Sequence, residues 1–170
     1  MHDPWFERAL ILLCQHDDEG ALGLVINRQS EVDLQEVIDK LTEDHGAFGE
    51  LQDGSRKTWW GGPVGDGAGF VLFSGTVETG EGWNIDGVAI SPSLERLAEL
   101  IRTGTDFELC LGYAGWGPGQ LAEEISTGSW VPVDADKKII FETPIEERYD
   151  KALAQLGVTP ELVWMQPINE

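Results

Sequence analysis

RALILLCQHDDEGALGLVIN, residues 8–27, decides how the rest of the chain is read. Two short apolar runs, Arg8 to Cys14 and Leu22 to Asn27, are parted by the polar turn His16-Asp17-Asp18-Glu19-Gly20. Runs of that length around a turn that tight predict a hairpin or a pair of neighbouring strands. Several strands along the chain neighbour each other without a helix between, which favours a mixed sheet over a doubly wound parallel one.

Downstream, Leu34, Val37, Ile38 and Leu41 recur at helical spacing, and Asp33 with Glu36 matches a capping box. Asp44 to Arg56 dissolves into polar residues and glycine and is expected to be a mobile surface loop. Trp59-Trp60 runs into a glycine-dense turn, Gly61 to Gly69, before a buried strand at Phe70 to Phe73. Thr76 to Asn84 reads as a loop and Ile85 to Ile90 as one strand. Ser91-Pro92-Ser93 starts a helix with Leu94, Leu97, Ala98 and Ile101 on one face, and Gly104 closes it.

Phe107 to Leu111 alternates as a strand, and a short helix follows from Gln120 to Thr127 with Leu121 and Ile125 inward. Trp130 to Val133 and Lys138 to Phe141 are expected as strands. The last helix opens at Thr143-Pro144, with Thr143 and Glu146 as a second capping box. It is expected to bury Ile145, Tyr149, Ala152, Leu153 and Leu156 and to stop at Gly157, before a final strand at Leu162 to Met165. Nothing repeats and no Pro-Ser-rich linker divides the chain, so residues 1–170 are expected to form a single α+β domain.

Composition bounds the function. The chain is 41% apolar with seven Trp and six Phe, enough for a packed core. Thirty-one acidic residues against eleven basic ones give a net charge of −20. Only Arg56-Lys57 and Lys137-Lys138 are adjacent cations, and neither makes a stripe. Affinity for nucleic acid comes largely from Lys and Arg on phosphates, so direct DNA or RNA binding is not expected. No apolar run is long enough for a membrane helix, and Met1 to Glu7 lacks the basic-then-apolar pattern of a secretory signal. Two cysteines, Cys14 and Cys110, fit reduced, buried thiols, and a cytoplasmic location is the default.

Three stretches invite chemical readings. Cys14 and His16 are two apart on a strand and so share a face; a thiolate beside an imidazole could be a nucleophile or a redox sensor. The ordinary alternative is a core cysteine with a solvated histidine in the turn. The Gly61–Gly69 turn lacks the Lys-Ser or Lys-Thr of a phosphate loop and precedes a strand, so tight backbone geometry accounts for it better than a ligand cradle. In LGYAGWGPGQLAEEI (Leu111 to Ile125), Trp116 offers a stacking surface and Gln120 a donor at a strand–turn–helix junction of the kind that shapes pocket rims. Close packing of the aromatics against glycine backbone is the alternative. His2, His16 and His45 are too far apart in sequence for a metal centre, and no metal or other cofactor is expected.

Several blocks together resemble one bacterial family. GALGLVIN (Gly20 to Asn27), WGGPV (Trp60 to Val64), GFVLF (Gly69 to Phe73), LGYAGWGPGQLAEEI, SWV (Ser129 to Val131) and IIFETPIEERY (Ile139 to Tyr149) are similar in order and spacing to the AlgH/YqgE family. The resemblance covers nearly the whole chain. It implies a bent, bifurcated sheet approaching a pseudo-barrel, with about four helices packed on it. It also implies a link to transcriptional regulation through alginate control, without a defined activity. No active site can be carried over; Asn27, Gly61, Gly62, Pro63, Gly112, Tyr113, Trp116, Gln120 and Glu124 are marked as candidate ligand- or partner-binding positions, and Cys14 with His16 as candidates for catalysis.

Two departures stand out. Family members usually carry an extra N-terminal strand before the Asp-Pro that corresponds to Asp3-Pro4, and this chain starts too late to contain it. Pro118 also stiffens the turn where related chains often place a polar residue after the tryptophan.

The expectation is a non-catalytic interaction protein with an unknown protein or small-molecule partner, monomeric or weakly self-associating, whose effect on transcription is indirect. The alternatives are a thiol-based enzyme or sensor using Cys14 and His16, and a direct DNA-binding regulator.

Overall fold

The structure, a computed structural model, describes residues 7–157. The strand expected over Leu162 to Met165 and the start at Asp3-Pro4 lie outside them. Along the chain run β1 (Ile11–Asp17), β2 (Gly20–Val25), β3 (Gln29–Asp33), α1 (Leu34–His45), β4 (Lys57–Trp60), β5 (Val64–Ser74), β6 (Trp83–Ile85), β7 (Val88–Ser91) and α2 (Leu94–Thr103). There follow β8 (Glu108–Trp116), α3 (Gln120–Ser126), α4 (Lys137–Glu142), a 3-10 turn (Ile145–Glu147) and α5 (Arg148–Ala154).

The sheet is built around β8. Its first half pairs antiparallel with β5, Phe70 opposite Cys110, and parallel with β4, Trp59 opposite Cys110. Its second half pairs antiparallel with β2, Gly23 opposite Ala114. β4 and β2 therefore leave β8 at different heights on one side, which is the expected bifurcation. The remaining order is β1-β2-β8-β5-β7-β6, curling until β1 and β6 approach each other. The result is a nearly closed, barrel-like α+β domain.

The bend sits where glycines cross. Gly112 has φ 79° and Gly62 φ 151°, both in the region glycine favours. A Cβ on Gly112 would strike the carbonyl of Gly62, and one on Gly62 would strike the backbone of Tyr113. These residues are glycines because two backbones touch there.

Alternation along β5 divides the core. Val71 and Phe73 join Leu34, Ile38, Phe48, Leu97, Leu100 and Leu109 beneath α1 and α2. Phe70 and Leu72 turn into the barrel with Leu12, Leu24, Trp59, Ile90, Cys110 and Ile140. A third, smaller cluster of Ala114, Trp116 and Leu121 lies under α3.

The helix ends agree with the sequence. Oε1 of Glu36 accepts the N–H of Asp33 at 3.3 Å, Ser93 accepts from Arg96 at 3.2 Å, and Gly104 is left-handed.

Several expectations are corrected. Lys138 to Phe141 is not a strand but part of α4, a fifth helix: Asp136 caps the N–H of Lys138 at 2.9 Å, and Pro144 follows its end. A run of four apolar or basic residues is too short for its period to decide between strand and helix. Trp130 to Val133 forms no ladder, since Pro132 lacks a donor in its middle.

Ile85 to Ile90 is two strands around Asp86 (φ 49°) and Gly87 (φ 80°), a hairpin turn that Asp-Gly favours. The glycine-dense stretch is a turn only to Pro63: β5 begins at Val64, with an irregular register between Val64 and Gly69. Likewise β8 runs on to Trp116 instead of ending at Leu111. Small residues weaken a strand's signature in sequence, while neighbouring ladders hold its backbone extended.

Thr143 does not cap the last helix. Its hydroxyl donates to the carbonyl of Lys138 at 3.1 Å, a 3-10 turn precedes α5, and Leu156 is exposed. The segment after α1 also lies closer to the core than expected, because Phe48 is buried beneath α2.

Candidate functional site

The residues singled out in the sequence fall into separate places. Cys14 is the extra residue of a bulge in β1, where the register with β2 slips between Leu13 and Gln15. Its thiol turns toward the barrel interior, packed against the cluster that contains Cys110, and donates to the carbonyl of Leu12 at 3.6 Å. Burial pushes the Cys14 thiol up to about 12. Burial, with a smaller contribution from Cys14, pushes that of Cys110 up as well. His16 is exposed and contributes nothing to the Cys14 shift. Cys14 is thus held as a neutral thiol.

Asn27 closes the end of the β1–β2 pair. Its Oδ1 accepts the N–H of Leu10 at 2.9 Å and its Nδ2 donates to the carbonyl of Arg8 at 2.9 Å. Gly61, Gly62 and Gly112 form the backbone crossing, with Pro63 exposed beside it. Tyr113 packs edge-on to Phe70 at a centroid distance of 6.1 Å.

Trp116, Gln120 and Glu124 come together. Oε1 of Glu124 accepts the indole N–H of Trp116 at 3.2 Å and that of Trp130 at 2.9 Å; its Oε2 accepts Nε2 of Gln120 at 2.9 Å. Gln120 uses its own oxygen on the N–H of Gly117, also at 2.9 Å. Glu124 is 9% exposed and Trp116 8%. The polar atoms proposed for a ligand are spent on each other, and they anchor Trp130, whose partnership the sequence did not suggest.

Beside this network lies a cleft of about 440 Å³, within the ~300–1,000 Å³ range of ligand sites. One wall is β1 with the residues before it, from Glu7 to Leu13; the other is the strap Gly128 to Asp136. Trp116, Leu121, Ile125, Ile26, Ile85, Ile139, Ile140, Tyr149, Ala152 and Leu153 complete it. Leu13 (38% exposed) and Val131 (37%) are large apolar residues left in solvent on the two walls.

The cleft is mostly apolar, with carboxylates at Glu7, Asp134 and Asp136, and Arg8 engaged by Asp150 at 3.0 Å. It holds no nucleophile–base pair. Among the described residues no group of three or more His, Cys, Asp or Glu is placed to hold a metal ion. Of the sequence candidates only Trp116 lines it. Leu13 lies in the first apolar run and Val131 in the SWV block, but neither pattern shows that the side chain is left in solvent.

Several basic side chains elsewhere are tied up. Arg56 pairs with Glu108 at 3.0 Å, Lys57 with Asp33 at 2.7 Å, and Arg96 with Glu81 at 2.7 Å and Glu99 at 2.8 Å. Arg148 is buried. No described helix is long and apolar enough to cross a membrane.

The family model described as AlgH-like matches residues 1–161. A UPF0301 protein of Burkholderia cenocepacia is 40% identical over 170 residues, covering 96% of this chain and 86% of the relative. One of Burkholderia vietnamiensis is 40% identical over 172 residues with the same coverage. The solution structure of the AlgH protein from Pseudomonas aeruginosa superposes with a TM-score of 0.78 at 37% identity, covering 98% of this chain and 88% of that one. A crystal structure of a Corynebacterium diphtheriae protein, at TM-score 0.58 and 20% identity, shares the fold.

Proposed function

The chain belongs to the AlgH-like family, and from that premise we propose that it is a non-catalytic protein that works by binding a protein or small-molecule partner, any effect on transcription being indirect. The observation that carries this reading is the cleft between β1 and the Gly128–Asp136 strap, where Leu13 and Val131 stand in solvent on opposite walls. Large apolar side chains left exposed around a concavity are a mark of interaction surfaces and ligand-binding grooves.

Two further features support it. The thiol of Cys14 is pushed up to about 12, far from the poise of a nucleophile at neutral pH. The net charge of −20, with Arg8, Arg56, Lys57 and Arg96 each engaged by carboxylates, opposes direct contact with a polyanion. Affinity purification of the tagged full chain, followed by cross-linking, tests the reading. A stoichiometric partner cross-linked at the cleft is expected; turnover of a substrate without such a partner would overturn it.

A further inference from the structure

β1 bonds to β2 on one side and, among the described residues, to no strand on the other. The carbonyl of Leu10 accepts the N–H of Ile26 at 2.9 Å, so Leu10 and Leu12 aim their polar groups at β2. Ile11 and Leu13 then aim theirs the opposite way. The N–H of Val25, opposite Ile11, bonds to Gly61 at 2.8 Å rather than to β1, as that alternation requires. The bulge at Cys14 ends the regular edge, leaving the outward groups of Ile11 and Leu13 facing the cleft on the side where β6 approaches β1 without bonding to it. Natural edges are usually covered or charged, because an open one recruits another strand.

We propose that this cleft receives an extended peptide segment with alternating apolar and basic side chains, which adds as a strand to the outer edge of β1. The inference rests on the interaction reading above and names the chemistry of its partner. Backbone groups of Ile11 and Leu13 supply the ladder, and apolar side chains of the segment meet Leu13 and Val131. The basic side chains answer Glu7 and Asp134 in the lining, where Arg8 is already held by Asp150. A second copy of the chain is the poorer occupant, since each copy brings a net charge of −20.

The test uses the isotope-labelled full chain and a ten-residue peptide of alternating valine and lysine. Two control peptides accompany it: one N-methylated at every second amide, and one with glutamate in place of lysine. The parent peptide is expected to shift the amide signals of Ile11 and Leu13 and to bind, whereas both controls lose at least about tenfold in affinity. Leu13→Lys, at an exposed position, is expected to weaken the parent peptide by a similar factor with its thermal unfolding unchanged. Val131→Lys repeats the test from the opposite wall should Leu13→Lys disturb the fold.

Absence of binding, equal binding of the N-methylated peptide, or shifts confined to another surface would overturn the proposal. So would self-association abolished by Leu13→Lys, which would give the edge to a second copy, or a small molecule found in the cleft by native mass spectrometry. A natural partner that binds wild type and Leu13→Lys alike would sink strand addition and leave the interaction reading standing.

Discussion

Trp130 donates its indole N–H to Oε1 of Glu124 at 2.9 Å, so the strap that forms the wall of the cleft opposite β1 hangs from a carboxylate on α3. The same oxygen holds Trp116, and the two rings meet edge-on at a centroid distance of 5.9 Å and an angle of 80°. One side chain thus fixes the wall of the cleft, the end of β8 and the start of α3.

Replacing Glu124 tests that arrangement. Glu124→Ala strands two indole donors and the Gln120 amide, and leaving such groups unsatisfied is expected to cost about 2–4 kcal/mol in urea unfolding. Glu124→Gln keeps one oxygen for the indoles but turns an amide toward the Nε2 of Gln120, and should cost less, about 1 kcal/mol. Tryptophan emission should shift to longer wavelength in the alanine variant. An alanine variant as stable as wild type would show that the strap is held by other contacts.

The glycine crossing predicts opposite outcomes for like substitutions. Gly112→Ala places a methyl group against the carbonyl of Gly62 at a φ of 79°, and is expected to abolish folding or cost more than about 3 kcal/mol. A Cβ on Gly67 meets nothing within 4 Å, so Gly67→Ala should stay within about 0.5 kcal/mol of wild type. Circular dichroism followed through thermal unfolding separates the two. Equal effects would refute the account of the bend.

Arg148 ties the last helix to the barrel. It stacks 4.5 Å from the ring of Trp59, donates through Nε to the carbonyl of Thr143 at 2.9 Å, and reaches the carbonyl of Ile26 through Nη1. Burial lowers its pKa, while Glu108 and Glu146 act in the opposite direction. Arg148→Lys cannot serve two diverging carbonyls and a ring face together, and is expected to cost about 2–3 kcal/mol. Hydrogen exchange in α5 should quicken before the rest of the sheet is affected.

Much of this architecture was readable in the chain, for identifiable reasons. The β1–β2 hairpin and the two longer helices follow from apolar spacing, caps and turn residues, all local signals. The network around Glu124 was only half visible: Trp116, Gln120 and Glu124 share one stretch, but Trp130 joins them because the chain folds back. The cleft itself was not legible, since its walls come from β1, a strap and α5, and no spacing within one segment reports their approach. Strands rich in glycine, such as the start of β5 and the end of β8, were hidden because their extension is imposed by neighbours.

The buried thiols set a prediction with a definite sign. Folding raises the pKa of Cys14 from the ordinary 9.0 to about 12, so the unfolded chain loses this proton first as pH rises. The resulting stabilisation is complete below pH 9 and is lost progressively as pH rises toward 12. Iodoacetamide should leave folded Cys14 unlabelled at neutral pH and label it readily in denaturant. Cys14→Ala should flatten part of the alkaline decline, the rest belonging to Cys110, whose pKa moves in the same direction. Rapid labelling of the native protein near pH 7 would instead return Cys14 to the list of reactive thiols.

Polyanion binding is decided by how the few cations are spent. Four of the eleven basic side chains, Arg8, Arg56, Lys57 and Arg96, are engaged by carboxylates, and Arg148 is inside the protein. A duplex approaching this surface would meet net repulsion from thirty-one acidic residues against eleven basic ones, strongest where salt screens least. No retardation of duplex DNA is therefore expected in a gel-shift experiment even at ~50 mM salt, the condition that favours phosphate contacts most. Retardation that weakens steeply as salt is raised would show that the cations form a phosphate-binding face after all, and the indirect reading of any transcriptional effect would fall with it.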